Sequence, residues 1–291
     1  MTRILHCSDF HFPQKITDDP SQIFLQFFSK RWIGNTNWHF SRKHHFSHDQ
    51  LNQLPAFCKA ESVETVIFTG DASITGTKKE LENAAAFFEK IRAENIQILT
   101  LPGNHDHYTK KSFREKAFYN HFPDNPSSNY SLRNGGVEAL PLSKDWYYVG
   151  LDTVRSTPPY SSRGDFTKRI EQQLQEVLRD LPDTPILMAN HFPFLPFDHP
   201  RKILEKGNRL ETIIANDPRI QIYIHGHTHR QCIADLREDN LALILDSGSG
   251  AHKHYGTFHL YDLQKNSIEI TVYTTTKNMF SPIHNTRFFW S

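Results

Sequence analysis

The 291-residue sequence lacks several features that mark specialised classes of protein. It contains only three cysteines, Cys7, Cys58 and Cys232, and no two of them have the close spacing of a zinc finger. So few, scattered cysteines argue against a disulfide framework and are typical of a reducing compartment. We therefore expect the fold to depend on a hydrophobic core, which a chain of this length is able to bury.

The chain also lacks an excess of one charge and any long apolar run. Its 33 basic and 32 acidic residues give a formal net charge of +1, which argues against a globally basic nucleic-acid binder. No run of about 18 apolar residues is present, so we expect no transmembrane segment. The N-terminal segment MTRILHCSDFHF becomes polar too early for a signal peptide. These absences predict a cytoplasmic protein.

Short apolar runs bounded by turn residues alternate with helical patterns along most of the chain. Runs of this kind are typical of buried strands. Two segments between them, 81–91 and 170–181, carry apolar residues at the i, i+3, i+4 and i+7 spacing of a helix. The alternation of strands and helices favours a layered α/β fold. The predicted strands are 4–7, 63–69, 96–101, 147–151, 186–189 and 220–224.

The C-terminal part of the sequence follows a different pattern, with three strands in succession and no helix between them. We expect these strands to form an antiparallel closing region. No repeat, low-complexity segment or linker interrupts the chain. We therefore predict one domain over 1–291, with an insertion at 20–48 and an extension at 277–291 that packs on it. The three closing strands are 241–245, 257–263 and 268–274.

Five short polar motifs each follow the end of a predicted strand. Ligands of open α/β sheets gather at this edge, so residues far apart in sequence can converge there. In an extended segment Asp9 and His11 point to the same side, and the same alternation pairs His227 with His229. The motifs are Asp9-Phe10-His11, Gly70-Asp71, Gly103-Asn104-His105-Asp106, Asn190-His191 and Gly226-His227-Thr228-His229.

These motifs supply carboxylates, imidazoles and an amide oxygen. This mixed set of oxygen and nitrogen donors suits manganese, iron or zinc better than calcium, which prefers oxygen alone. Seven donors exceed the needs of one tetrahedral zinc and fit two metals that share a carboxylate. We therefore expect two divalent metal ions, with manganese favoured. The candidate metal ligands are Asp9, His11, Asp71, Asn104, His191, His227 and His229.

The order of the motifs resembles the signature of the calcineurin-like metallophosphoesterases, which is DxH, GD, GNHD, a lone histidine and GHxH. The resemblance covers residues 4–230, and all five motifs are intact. It implies a layered α/β fold in which two mostly mixed β-sheets are flanked by helices. It also implies that Asp71 bridges the two metals. One metal would then be held by Asp9, His11, Asp71 and His229, and the other by Asp71, Asn104, His191 and His227.

The same resemblance implies catalytic roles for His105 and Asp106. His105 would contact the phosphate and protonate the leaving oxygen, and Asp106 would hold and polarise His105. Two cations about 3.5–4 Å apart neutralise an anionic ester and lower the pKa of a water between them, so that the resulting hydroxide attacks in line. The sequence therefore predicts a dinuclear metal-dependent phosphohydrolase that acts on an anionic phosphate ester.

The substrate prediction is narrower but has alternatives. The motif order resembles the class III branch of cyclic-nucleotide and glycerophosphodiester phosphodiesterases, which favours a phosphodiester. That branch often carries His-His before Pro-Pro, whereas this chain has Asn190-His191-Phe192-Pro193. One alternative is a pyrophosphatase of a lipid-linked or nucleotide-sugar substrate, as in lipid A synthesis. An alternative of another class is a catalytically inactive binding or scaffold module.

The insertion at 20–48 contains many aromatic and basic residues, such as Trp32, Trp38 and Lys30, and no acidic residue. One interpretation is a lid over an anionic substrate, which would be a nucleotide stacked on tryptophan or a lipid-linked phosphate with peripheral membrane contact. The other is that the phenylalanines only pack a helix on the core while the basic residues remain solvated. Both interpretations stay open at the level of sequence.

Three glycines and two further polar residues lie near the motifs. We expect Gly70, Gly103 and Gly226 to allow tight turns and close backbone approach after their strands. His225 is expected to be a turn or supporting residue rather than a ligand. Asp152 either supports the site or caps a turn.

Overall fold

The computed structural model describes residues 1–14, 30, 31, 34, 45–276 and 279–290. Within this part of the chain, fourteen strands and six α-helices follow one another. The strands are β1 (Thr2–Cys7), β2 (Thr65–Phe68), β3 (Gln97–Thr100), β4 (Val137–Pro141), β5 (Tyr147–Leu151), β6 (Gly164–Asp165), β7 (Ile186–Ala189), β8 (Leu204–Glu205), β9 (Ile220–His225), β10 (Gln231–Asp235), β11 (Leu243–Ser247), β12 (Thr257–Leu263), β13 (Ser267–Thr276) and β14 (Met279–Phe289). The helices are α1 (Leu54–Ala60), α2 (Lys78–Arg92), α3 (Lys110–Arg114), α4 (Leu132–Gly135), α5 (Lys168–Asp180) and α6 (Gly207–Asn216).

The strands form two six-stranded mixed sheets and one short pair. The first sheet has the order β14-β13-β12-β1-β2-β3, in which β1, β2 and β3 are parallel and the remaining pairs are antiparallel. The second sheet has the order β10-β11-β9-β7-β5-β4, in which β11, β9, β7 and β5 are parallel. Strands β6 and β8 form the pair. The parallel strands of each sheet end at the same edge, and the polar motifs lie in the segments that follow these ends.

Alternation along the strands of the second sheet divides the core in two. Leu187 and Ala189 of β7 belong to the cluster that the two sheets share, whereas Ile186 and Met188 belong to a second cluster with helices α5 and α6. The two faces of β7 therefore contact different layers, the other sheet on one side and the helices on the other, as expected for a strand buried on both faces. The layers are sheet against sheet, with helices on the outside.

Helix α2 is fixed at its start by a capping box. The side chain of Thr77 accepts a hydrogen bond from the Glu80 backbone, and the Glu80 side chain accepts one from the Thr77 backbone. The buried face of the helix packs on the first sheet, where the ring centroid of Phe88 lies 5.0 Å from that of Phe68. None of the helices in the described ranges has the length and apolar character that crossing a bilayer would require.

The layered α/β fold with two mixed sheets and flanking helices, predicted above, is confirmed. The expected antiparallel closing region is partly wrong, because β11 joins the second sheet and runs parallel to β9. An apolar run predicts a strand but contains no information about its partner. The extension at 277–291 contributes strand β14, which pairs with β13 and was not predicted as a strand. Most of the insertion at 20–48, with its predicted helix, lies outside the described residues.

Candidate metal centre

The seven candidate ligands converge at the carboxyl-terminal edges of the two sheets. Three strands of the first sheet, β1, β2 and β3, lead into the segments that carry Asp9, Asp71 and Asn104. Strands β7 and β9 of the second sheet lead into those that carry His191 and His227. Because both sheets present these edges on the same side, the structure brings together the motifs that the sequence singled out.

Five of the seven candidate ligands have a left-handed backbone, which is uncommon outside glycine and costs of order 1–3 kcal/mol at each position. Hydrogen bonds between neighbouring loops hold this conformation: the backbone N–H of Asp9 donates to Gly70 O at 2.9 Å, and that of His11 donates to Asp71 O at 3.0 Å. Such strain is typical of functional sites. The φ angles are 57° at Asp9, 49° at His11, 59° at Asp71, 70° at His227 and 58° at His229.

Asp9, His11 and His229 form one group. The Nε2 atom of His229 lies 3.1 Å from Asp9 Oδ1, and the Nε2 atom of His11 lies 3.8 Å from the same oxygen. The two Nε2 atoms are 3.2 Å apart. Asp9 is fully buried, and its Oδ1 atom has no hydrogen-bond partner among the described residues. A buried carboxylate oxygen without a donor, facing two imidazole nitrogens, fits a metal cation.

Asp71, Asn104, His191 and His227 form the adjoining group. The Nε2 atom of His191 lies 3.5 Å from Asp71 Oδ2, 3.2 Å from Asn104 Oδ1 and 3.3 Å from His227 Nδ1. Asp71 Oδ2 also lies 4.0 Å from Nε2 of His11, in the first group. Asp71 therefore stands between the two groups, where a shared carboxylate would have to be.

Backbone carbonyls orient three of the histidine rings. The outer nitrogen of His191 (Nδ1) donates to Thr69 O at 2.7 Å, and that of His227 (Nε2) donates to Lys202 O at 2.9 Å. His11 Nδ1 donates to Ser73 O at 3.2 Å. Each bond fixes the tautomer, so that the inward nitrogen keeps a lone pair for a metal.

Neighbouring carboxyl and imidazole groups at the site shift each other's pKa values. Burial favours the neutral acid, but the neighbouring histidines, His229 for Asp9 and His191 for Asp71, hold the pKa of each carboxyl below its usual range. Burial lowers the pKa of His227 to about 3. Burial also acts to lower the pKa of His191, but Asp71 outweighs it and raises the pKa to about 9. A metal held by His191 would therefore displace a proton.

The donor set fits two divalent ions. In each of three groups of residues, the donor atoms lie within 4.8 Å of one another. The groups are Asp9 with His11 and His229, Asp9 with Asp71 and His191, and Asp71 with His11 and His105. The third of these groups includes the candidate catalytic residue His105, whose ring centroid lies 4.8 Å from that of His11. His105 is therefore adjacent to the candidate ligands, at the place where a substrate would meet them.

The carboxylate of Asp106 contacts the loops on both sides of it. Its carboxylate accepts hydrogen bonds from the backbone N–H groups of Ala72, Ser73 and Gly103 and from the Ser73 hydroxyl. The His105 ring donates from Nδ1 to Ile74 O at 2.5 Å. Asp106 thus holds the loops that carry Asp71 and His105.

Two of the predicted glycines have a clear steric reason. A Cβ atom added to Gly103 would overlap Asp71 Oδ1 and the Asp71 backbone nitrogen. A Cβ atom at Gly226 would overlap the side-chain oxygen of Ser8. Close backbone approach at the sheet edge therefore excludes a side chain at both positions.

Residues near the motifs have supporting contacts. His225 Nδ1 lies 3.3 Å from Asp246 Oδ2, which agrees with a supporting role. Asp152 accepts hydrogen bonds from the Val154 backbone and the Tyr119 hydroxyl, which agrees with turn capping. Sequence reasoning missed His48, whose Nε2 faces the carbonyl oxygens of Phe10 and His11 at 2.9 and 3.1 Å. No motif marks this histidine, because it lies in the insertion.

A cavity of about 460 Å³ opens beside the candidate ligands. His105, Asn104 and His229 line its inner end, and Lys30, Tyr108, Tyr160, Arg201 and Lys202 line its walls. Of the wall residues, only Lys30 had been noted in the sequence. The others lie in loops whose meeting point depends on the fold.

Comparison with known proteins agrees with this geometry. Residues 2–231 match the family model for calcineurin-like phosphoesterases. A dimetal phosphatase from Danio rerio has a similar structure, with a TM-score of 0.66 and 14% identity over 100% of this chain and 99% of that one. A purple acid phosphatase, PPD1, from yellow lupin (Lupinus luteus) seeds has a TM-score of 0.57 and 10% identity over 99% of this chain and 54% of that one. No curated protein sequence matches.

At these low identities the two neighbours establish the shared fold. The family match covers far more than half of the 291 residues and includes all five motifs. The chain therefore belongs to the calcineurin-like phosphoesterase family and is a metal-dependent hydrolase of phosphoric esters.

Proposed function

We propose that the protein is a dinuclear metal-dependent phosphodiesterase. The observation that carries this proposal is the position of His105, whose ring lies against His11 while its Nδ1 is committed to Ile74 O. A histidine oriented by a carbonyl and placed beside a metal centre is suited to protonate a leaving oxygen.

The proposed ligands divide into two sets that share Asp71. Asp9, His11 and His229 would hold one ion together with Asp71, and Asn104, His191 and His227 would hold the other with it. Bound divalent ions neutralise the charge of the phosphoryl group and activate a water. Manganese is the preferred ion in this proposal, because the donors mix carboxylate, amide and imidazole.

The chain's own residues bind and orient the ester. In its imidazolium form, His105 donates the Nε2 proton to the leaving oxygen and becomes neutral, and the proton that remains on Nδ1 stays hydrogen-bonded to Ile74 O. The Phe46 ring lies edge-on to His11, with centroids 5.3 Å apart, and covers that side of the ligands.

Two observations support a diester rather than a monoester. The motif order resembles that of the phosphodiesterase branch, and the cavity of about 460 Å³ extends well beyond the candidate ligands. A monoester has one organic substituent to accommodate, whereas a diester has two. A cavity in the usual size range for small-molecule sites provides the space for the second.

The test is Mn²⁺-dependent hydrolysis of bis(p-nitrophenyl) phosphate and of p-nitrophenyl phosphate by the full chain. We expect turnover of the diester to exceed that of the monoester and to disappear in Asp71→Ala. Preference for the monoester would contradict the diester assignment. Metal-loaded protein that hydrolyses neither compound would favour a pyrophosphatase, and protein that binds no metal would favour a scaffold module.

A further inference from the structure

The cavity beside the candidate metal centre is lined by three basic residues from two separate segments of the chain. Lys30 belongs to one segment, and Arg201 and Lys202 belong to the other. The only acidic residue among the described residues that line the cavity is Asp71, which is a candidate metal ligand. In a chain whose formal net charge is only +1, this local excess of positive charge requires an explanation.

Lys30 is held in place by one hydrogen bond and one aromatic contact among the described residues. Its Nζ atom donates to Thr157 O at 2.7 Å and lies 4.1 Å from the ring centroid of Tyr108. Burial lowers the pKa of Lys30 to about 8, so the amine remains largely charged at neutral pH. It forms no ion pair within the described ranges, and an ammonium group has three donors. Tyr108 in turn stacks on His105, with ring centroids 5.4 Å apart.

The segment that carries Arg201 and Lys202 is tied to the candidate metal centre. The backbone carbonyl of Lys202 accepts the hydrogen bond from His227 Nε2 described above, which links this loop to a candidate ligand. The Arg201 carbonyl accepts a hydrogen bond from the Ser162 backbone at 2.9 Å, and its guanidinium carbon lies 5.8 Å from the Tyr160 ring centroid. The backbone of this segment is thus fixed, while the two basic side chains are exposed.

Neighbouring arginines show that the chain neutralises basic groups elsewhere in this region. Arg155 and Arg163 both pair with Glu205, at 2.6 and 2.9 Å. Neither Arg201 nor Lys202 forms an ion pair in the part of the chain that the structure describes. Among the described residues, the cations that line the cavity are therefore those with no carboxylate within ion-pair distance.

We propose that Lys30, Arg201 and Lys202 form a second anion subsite, which binds a phosphate group of the substrate other than the one that is hydrolysed. This inference rests on the proposed function, since it assigns the substrate class of the same site: a phosphoric ester that carries a further phosphate on one of its organic groups. Charge-assisted hydrogen bonds from lysine and arginine are the contacts that such a phosphate takes.

The subsite is tested by binding, which needs no turnover. The Mn²⁺-loaded full chain is titrated calorimetrically with alkane-α,ω-diyl bisphosphates, with linkers from ethane to hexane, and with the alkyl monophosphates of the same lengths. We expect at least one bisphosphate to bind roughly tenfold or more tightly than its monophosphate. The ratio of bisphosphate affinity to monophosphate affinity should fall towards one in Arg201→Gln and in Lys30→Gln. It should stay unchanged in Lys168→Gln, which alters an exposed lysine of α5.

The two variants change residues of separate segments, so the misfolding of one does not remove the test. Equal affinities at every linker length would overturn the subsite. A preference that survives in both variants would also overturn it, because chelation by the metals alone would then explain the binding. Turnover of bis(p-nitrophenyl) phosphate without a bisphosphate preference leaves the proposed function standing and removes the subsite. A bisphosphate preference without turnover would support the anion subsite and contradict the proposed phosphodiesterase activity.

Discussion

The backbone N–H of His105 donates a hydrogen bond to Asp71 Oδ1 at 2.7 Å, while the other oxygen of Asp71 faces His191 and His11. The carboxylate proposed to bridge the metals is thus oriented by the residue proposed to act as the acid. The proposed metal bridge and the proposed acid are therefore joined by a hydrogen bond. Substitution of each residue distinguishes the loss of metal from the loss of proton transfer.

Asp71→Ala should remove metal and activity together, because the proposed bridge contributes to both metal positions. We expect the metal content, measured by plasma mass spectrometry, to fall from about two ions per chain to near zero. Asp183→Ala, which changes an exposed aspartate outside the site, should leave both quantities unchanged. An Asp71→Ala protein that retains two ions would contradict the bridging role.

His105→Ala should retain metal and slow turnover by roughly 10²–10⁴-fold, the usual effect of losing a general acid. The loss should be smaller for bis(p-nitrophenyl) phosphate than for diphenyl phosphate, because nitrophenolate leaves with little need of protonation. The exposed His284→Ala on β14 is the control. Equal losses on both esters would argue against proton donation, and loss of the metals would make His105 a ligand.

Gly103→Ala should disrupt the site through sterics alone, because the new methyl group would overlap Asp71. We expect a loss of about 1–3 kcal/mol or more in the free energy of unfolding, together with weaker metal binding. Gly135→Ala is a matched control, since its methyl group would meet the flexible Gln173 side chain first, at 3.2 Å. Urea unfolding of the metal-free proteins gives the comparison, and equal effects of the two substitutions would contradict the steric account.

Glu138 should make stability depend on pH. Its side chain is 2% exposed on β4, and burial raises its pKa from 4.5 to about 7. Between these values the folded protein keeps a proton that the unfolded chain releases, so stability falls as pH rises through this window. The contribution lost amounts to at most about 3 kcal/mol.

Glu138→Gln removes this titration. The unfolding free energy of the variant, measured in urea at steps of pH across the window, should decline less than that of the wild type. The exposed Glu238→Gln should follow the wild-type curve. Parallel curves for wild type and Glu138→Gln would show that Glu138 does not titrate in this range.

The sequence predicts the strands that carry the motifs because a buried strand needs a continuous apolar run, and such runs precede Asp9, Asp71 and His191. The carboxyl-edge rule then predicts their convergence, which the structure shows. These inferences succeed because each depends on local pattern and on one general property of parallel sheets.

Other features depend on contacts between distant segments. Pairing of β11 with β9 joins segments that no periodicity relates. The exposed strand β14 includes Pro282 and several polar residues, so it lacks the apolar run of a buried strand. Arg201 and Lys30 lie far apart in the sequence, and only the folded chain brings them to one cavity.

The position of β1 has a consequence for synthesis of the protein. This strand, which leads to Asp9, lies between β2 and β12, and β12 spans Thr257–Leu263. During synthesis, one edge of β1 therefore stays unpaired until residues 257–263 have emerged from the ribosome. Loop closure over such a separation is slow, and unpaired strand edges are prone to aggregate. Until β12 pairs with it, the open edge of β1 should thus make the nascent chain prone to aggregation.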